Sequence, residues 1–166
     1  MDTPVVTPTS PTGTTSTVPL AGPSPPTTIA PDTTDATLPE IPDDLAAFGI
    51  ETIVVAGEEW LVAVADTGQE KGDGLRGILE MGDVDGMLFS YDEPTTVAFT
   101  MRAVTQPLEI AFFAADGSLI NVLEMTPCAD DPECPVYRSE APFRWALESF
   151  PGGAATLSPD AVIVPD

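Results

Sequence analysis

From residue 51 onward the apolar positions come in short runs broken by turn residues, a spacing that predicts strands rather than long helices. "ETIVVAGEEWLVAVAD" (51–66) reads as two strands around Gly57, rich in β-branched and aromatic side chains. "TGQEKGDGLRGILEM" (67–81) predicts a short helix only. Thr67 with Glu70 three positions on makes a capping box, and Gly72 and Gly74 then weaken the helix. "GMLFSY" (86–91) and "TTVAFTMRA" (95–103) read as strands separated by "DEP". The clearest signal is "LEIAFFAADGSLINVLEM" (108–125), where two apolar runs flank Asp116-Gly117, a dipeptide favoured in tight hairpin turns. "APFRWALESFPGG" (141–153) fits a strand or a brief helix, and "AVIVPD" (161–166) a last strand. With seven or eight short strands and no repeats, the pattern predicts a small mainly-β single domain. Its form is a barrel or strongly curved sheet with one or two short helices.

Composition divides the chain. Residues 1–40 hold twelve Thr, nine Pro and three Ser, with no aromatic, Lys or Arg, so they cannot bury enough apolar area to offset chain entropy. They read as a disordered, semi-stiff linker or tether ahead of a globular domain over 41–166, where all seven Phe and both Trp lie. Thr/Pro-rich leaders commonly join an anchor to an extracytoplasmic domain. The start "MDTPVVTPTS" lacks the basic and apolar regions of a signal peptide. Export remains the preferred reading, in a mature or truncated form, with a cytoplasmic protein as the alternative. No run of 18 apolar residues is present to span a bilayer, and direct membrane insertion is not expected.

The net charge of −22, from 27 acids against five bases, argues against nucleic acid and anionic membranes, both of which demand Lys or Arg. A solvated acidic surface is the plain reading; high salt or a cationic or divalent partner is the sharper one.

The two cysteines, Cys128 and Cys134, lie in "EMTPCADDPECPVY" (124–137). With no His and two thiols, the chain lacks a zinc ligand set. The intervening acids would raise the thiol pKa values, which disfavours a redox pair. A disulfide across the Asp-Pro turn fits best and agrees with an oxidising compartment; a pair of reduced thiols in the cytosol is the alternative. "GDVDG" (82–86) hints at calcium, but its Gly falls fourth rather than sixth and no Glu follows at twelve. An irregular site from Asp83, Asp85, Asp92 or Glu93 is the weaker option, and no metal or cofactor is assigned. Without His, no Ser-His-Asp triad exists, and a carboxylate pair such as Asp66 with Glu109 is one of many in so acidic a chain. Phe143, Leu147 and Phe150 stand at helix-like spacing and read as core packing.

Taken in order, "VADT" (64–67), "GL" (74–75), "GMLF" (86–89), "F-x-M-R" (99–102), "PLEIAF" (107–112), "ADG" (115–117), "PC…CPVY" (127–137) and "ALESFPGG" (146–153) form a series. The series resembles the bacterial and archaeal domain of unknown function 192 family over residues 58–165. The resemblance implies a compact, mostly β domain, often in exported or anchored proteins, with no established enzymatic activity. The chain departs from the family pattern at "GLRGI" (74–78), where Ile78 stands at a position commonly Arg. At "FTMRAV" (99–104), Thr100, Ala103 and Val104 stand for Trp, Asn and Thr. "PLE" has Glu109 for Asp. Any polar site the family builds from these positions is partly lost here.

The ligand-binding candidates are therefore Arg102, Glu109, Met101, Phe99 and Asp66, with no catalytic residue assigned. Arg102 reads as sitting on a half-buried strand, where an unpaired charge is costly, and Glu109 is its natural forked partner. Arg102 then either locks two strands or receives an anionic or carbonyl group of a ligand beside Met101 and Phe99. The function expected is a monomeric, non-enzymatic, extracytoplasmic module that binds a small ligand or a partner protein. The alternatives are a hydrolase or transferase using Arg102 and Glu109, and a purely structural accessory domain.

Overall fold

The computed structural model describes residues 38–165. The tether expected over 1–40 lies almost wholly outside the described residues. Nine strands and one short helix follow. Strands β1 (Gly49–Val55) and β2 (Glu58–Ala65) form a hairpin around Ala56-Gly57. Helix α1 (Gly68–Asp73) starts with the predicted capping box: Thr67 Oγ1 accepts from the Glu70 amide, and Glu70 Oε2 accepts from the Thr67 amide. Its acid group is thereby held below the usual carboxylate range.

Strand β3 (Gly86–Thr95) runs through "DEP", which the sequence reading takes as a break. A register shift between Ser90 and Thr95 absorbs Pro94, which can donate no ladder bond. The strand expected over 95–103 shrinks to β4 (Phe99–Thr100), because the chain turns at 101–104. Strands β5 (Leu108–Phe113) and β6 (Leu119–Met125) form the hairpin around Asp116-Gly117. β7 (Val136–Tyr137) pairs with β4, β8 (Phe143–Ser149) is a strand throughout, and β9 (Ile163–Val164) pairs with β1. One 3₁₀ turn covers Ala154–Thr156.

The main sheet has the order β6-β5-β8-β3-β2-β1-β9. All pairs are antiparallel except β2 with β3. A parallel pair needs a long crossover, which residues 66–85 supply, carrying α1 with them. The sheet curls into a half-barrel until its two ends meet. Ser118 bridges Val162, and Leu119 and Ala161 share a backbone bond. Only glycine fits at Gly117: its φ is +85°, and a Cβ there would lie 2.5 Å from the Ile163 carbonyl oxygen.

Both sheet faces are covered, and two-residue alternation, broken at the register shifts, sorts the side chains. Val62, Val64, Leu88, Ala111, Phe113 and Leu147 fill one core together with Ile163 from the far end of the curl. Ala63, Ala65, Met87, Phe89, Ile110, Phe112 and Ala146 face the other, where Leu75, Ile78, Met81 and Val84 of the crossover and Phe99, Met101 and Val104 cover them. The helix-like stripe read at 143–150 is thus a strand with Ala146 and Leu147 in opposite cores. Among the described residues no helix is long and apolar enough to cross a membrane.

Candidate functional site

The residues singled out in the sequence do not assemble into one site. Arg102 lies just past β4, and its Nε donates to Asp130 Oδ1 at 2.5 Å, with both side chains well exposed. The expected Arg102–Glu109 pair is absent. The chain turns at Ala103 (φ 61°), whose amide donates to the Cys128 carbonyl, so Arg102 lies against the cysteine loop. Glu109, only 5 % exposed, accepts instead from the Gly152 amide at 3.0 Å and the Ala155 amide at 2.8 Å. It holds the turn that follows β8. Met101 is core, and Asp66 is exposed, its backbone carbonyl accepting from Lys71 Nζ. Glu109 lines a separate cavity of about 310 Å³ with Pro107, Met125 and Pro151, from which Asp66 is absent. Phe99 alone of the five lines the pocket described next.

The cysteine reading holds. Cys128 and Cys134 form a disulfide with Cα atoms 5.9 Å apart, around a turn in which Asp131 Oδ1 accepts from the Glu133 amide. The acids of "GDVDG" are engaged otherwise than by metal: Asp83 accepts from the Glu40 amide and Asp85 from the Leu61 amide. Among the described residues no group of three or more His, Cys, Asp or Glu is placed to hold a metal ion.

The most unusual polar group is Glu148 on β8. Its cross-strand partners are Met87 on β3 and Ile110 on β5, both members of the crossover-side core, so its carboxyl points into that core. It is 6 % exposed, and desolvation alone, with no hydrogen bond from another described residue, shifts its carboxyl. The small exposure it has opens on a pocket of about 240 Å³ between the sheet and its cover. Gly86 lets β3 approach this point of β8, because a Cβ there would meet the Glu148 carbonyl oxygen at 2.5 Å.

The pocket wall is aromatic on the sheet side. Phe99 packs edge-on against Phe89, with centroids 5.0 Å apart, and Tyr91 beside them packs edge-on against Phe143. The rim comes from α1 and the turn after it, where Lys71, Asp73 and Arg76 contribute the charged groups. Lys71 Nζ sits over the Tyr91 ring, 4.6 Å from its centroid, held there by the Asp66 carbonyl. Burial raises the Glu148 carboxyl to about 8, so near neutrality it is a neutral acid and a hydrogen-bond donor. Burial, then the nearby Glu148 carboxyl, raises the Tyr91 hydroxyl in turn. A larger groove of about 530 Å³ lies on the other side of α1 and shares Arg76, but Glu70 within it is engaged in the helix cap.

Sequence reasoning passed over Glu148, Tyr91, Lys71 and Arg76. A signal existed in "FRWALESF": read with strand alternation, it sets Glu148 beside Ala146 on a buried face. The helix-like spacing of its aromatics concealed that.

The model of the DUF192 family, described as an uncharacterised ACR, matches residues 51–161. The chain belongs to this family. The match to DUF192 includes every residue of the Glu148 pocket. Two crystal structures share the fold. A protein of unknown function from Novosphingobium aromaticivorans is 25 % identical, with a TM-score of 0.66 over 78 % of this chain and 94 % of its own. A Sinorhizobium meliloti protein, designated a candidate transcription regulator, is 23 % identical, with a TM-score of 0.61 over 70 % and 94 %. Among curated proteins none matches this DUF192 chain.

Proposed function

We propose that this DUF192 protein is a non-enzymatic, extracytoplasmic binding module that holds a small polar ligand in the Glu148 pocket. One observation carries the reading: a carboxyl only 6 % exposed, with no hydrogen bond from any other described residue, whose open edge faces a cavity. A carboxyl largely stripped of water at the floor of a cavity is placed to bond a ligand that enters it. Both cysteines are tied in the disulfide and the Lys71 amine is held by the Asp66 carbonyl, which supports binding over covalent chemistry. The disulfide and the Thr/Pro-rich leader support an oxidising, extracytoplasmic setting. The excess of 27 acids over five bases supports a partner other than nucleic acid.

The test is a fragment screen on the ¹⁵N-labelled full chain, read by amide chemical shifts. The expected result is a set of hits that move the amides of Gly72, Gly74, Phe99 and Glu148 together, and that lose affinity when Ala98→Trp fills the mouth. Hits that cluster elsewhere, or a screen with none, would overturn the proposal.

A further inference from the structure

We infer that the ligand of the Glu148 pocket is a small carboxylate with an apolar tail, held between Glu148 and the Lys71–Arg76 rim. This rests on the pocket being a binding site and adds the ligand's chemistry. Three features of the pocket select that class. First, two of the chain's five bases, Lys71 and Arg76, stand at its rim, in a protein of net charge −22. One acid, Asp73, shares the rim, so with Glu148 neutral the local balance is two cations against one anion. Second, the floor offers an acid that no other described residue hydrogen-bonds, and an acid O–H donating to a carboxylate oxygen makes one of the stronger hydrogen bonds available to a protein. Third, Phe89, Phe99, Leu75 and Val104 form an apolar wall. The volume of about 240 Å³ corresponds to roughly eight waters of the liquid, the size of a carboxyl with a short alkyl or single-ring tail.

Burial sets the response of Glu148 to pH, and a few other polar and titratable groups line the same pocket. They are Lys71, Asp73 and Arg76 from α1 and its following turn and Tyr91 from β3. β4 brings only Phe99 and Thr100, and Glu109 of β5 is engaged with Gly152 and Ala155. An anion next to Glu148 favours its neutral form further. Above the free protein's titration near 8, binding therefore takes up a proton and weakens by up to about tenfold per pH unit. An ammonium ligand would do the reverse, releasing a proton and binding more tightly as pH rises.

Benzoate, benzamide and benzylammonium are similar in size and differ in charge, so they serve as probes of the full chain by titration calorimetry at about pH 6.5 and 8.5. The expected result is that benzoate binds at least tenfold more tightly than the other two. Its affinity should fall at the higher pH, with proton uptake seen as a dependence of the heat on buffer. Arg76→Met should weaken benzoate and leave benzamide unchanged. Glu148→Gln, which keeps a neutral donor, should retain benzoate binding but lose the fall at high pH. Equal or tighter binding of benzamide, or of benzylammonium with the opposite pH trend, would overturn the carboxylate inference while leaving the pocket as a site. Binding of none, with no pocket hits in the amide-shift screen, would overturn both.

Discussion

A carboxyl buried as Glu148 is resists ionisation, and that resistance has a consequence for stability. In the unfolded chain it titrates near the ordinary 4.5, whereas burial moves it to about 8 in the fold. Between those values the unfolded state loses its proton while the folded state keeps it, so stability falls as pH climbs from about 4.5 to about 8 and levels above. Glu148→Gln removes that slope. Melting curves of the two proteins should converge near pH 4.5 and separate toward pH 8, with the variant more stable there by on the order of a few kcal/mol. Parallel curves would show that the carboxyl is hydrated. The other two charged residues of interest differ in the same way, by burial. Arg102→Met removes an exposed pair and should change the urea-unfolding free energy by no more than about 1 kcal/mol. Glu109→Ala strips the acceptor from two amides under partial burial and should cost about 1–3 kcal/mol. The reverse order of these two effects would mean that the turn after β8 is held by something other than Glu109.

At the scale of elements, the pocket depends on pieces that are too short to stand alone. β4 and β7 pair over two residues each, and Phe99 of β4 forms part of the pocket wall. Cys134 lies two positions before β7, and Cys128 carries the bridges to Arg102 and Val104 just past β4. The disulfide therefore clamps one end of this small ribbon, where the C-terminal end of β4 meets the N-terminal end of β7. Reduction should lower stability by about 2 kcal/mol in the chain-entropy view. Hydrogen exchange should then accelerate at Phe99 and Tyr137, while the β5–β8 amides in the middle of the main sheet stay protected. Uniform acceleration across both sheets would show instead that the bridge acts only on the unfolded chain. α1 is a second short piece, six residues long with no buried side chain, fixed by its capping box and by the crossover it rides on. It carries Lys71 and, just beyond its end, Arg76 to the rim.

At the scale of the whole molecule, the curled sheet places residues far apart in the chain around one cavity, and this separates what could be read from what could not. Features set by a few neighbouring residues were legible in the sequence. The Thr67–Glu70 cap, the Asp116-Gly117 turn, the cysteine loop and the mainly-β class all follow from propensities and bonds that close locally. Departures came where a local signal met a tertiary demand. Pro94 sits within β3 because a register shift accommodates it. The sequence paired Arg102 with Glu109, an acid on a neighbouring strand-like run. The turn at Ala103 sends it to Asp130 instead. The sequence by itself thus determined the strand-rich domain, its turns and its staple. Only the tertiary structure decided which of the described acids is drawn into the core, because the burial of Glu148 is created by the crossover and β4 laid across the sheet at β8. Desolvation is a property of that enclosure, and no short stretch of the chain contains it.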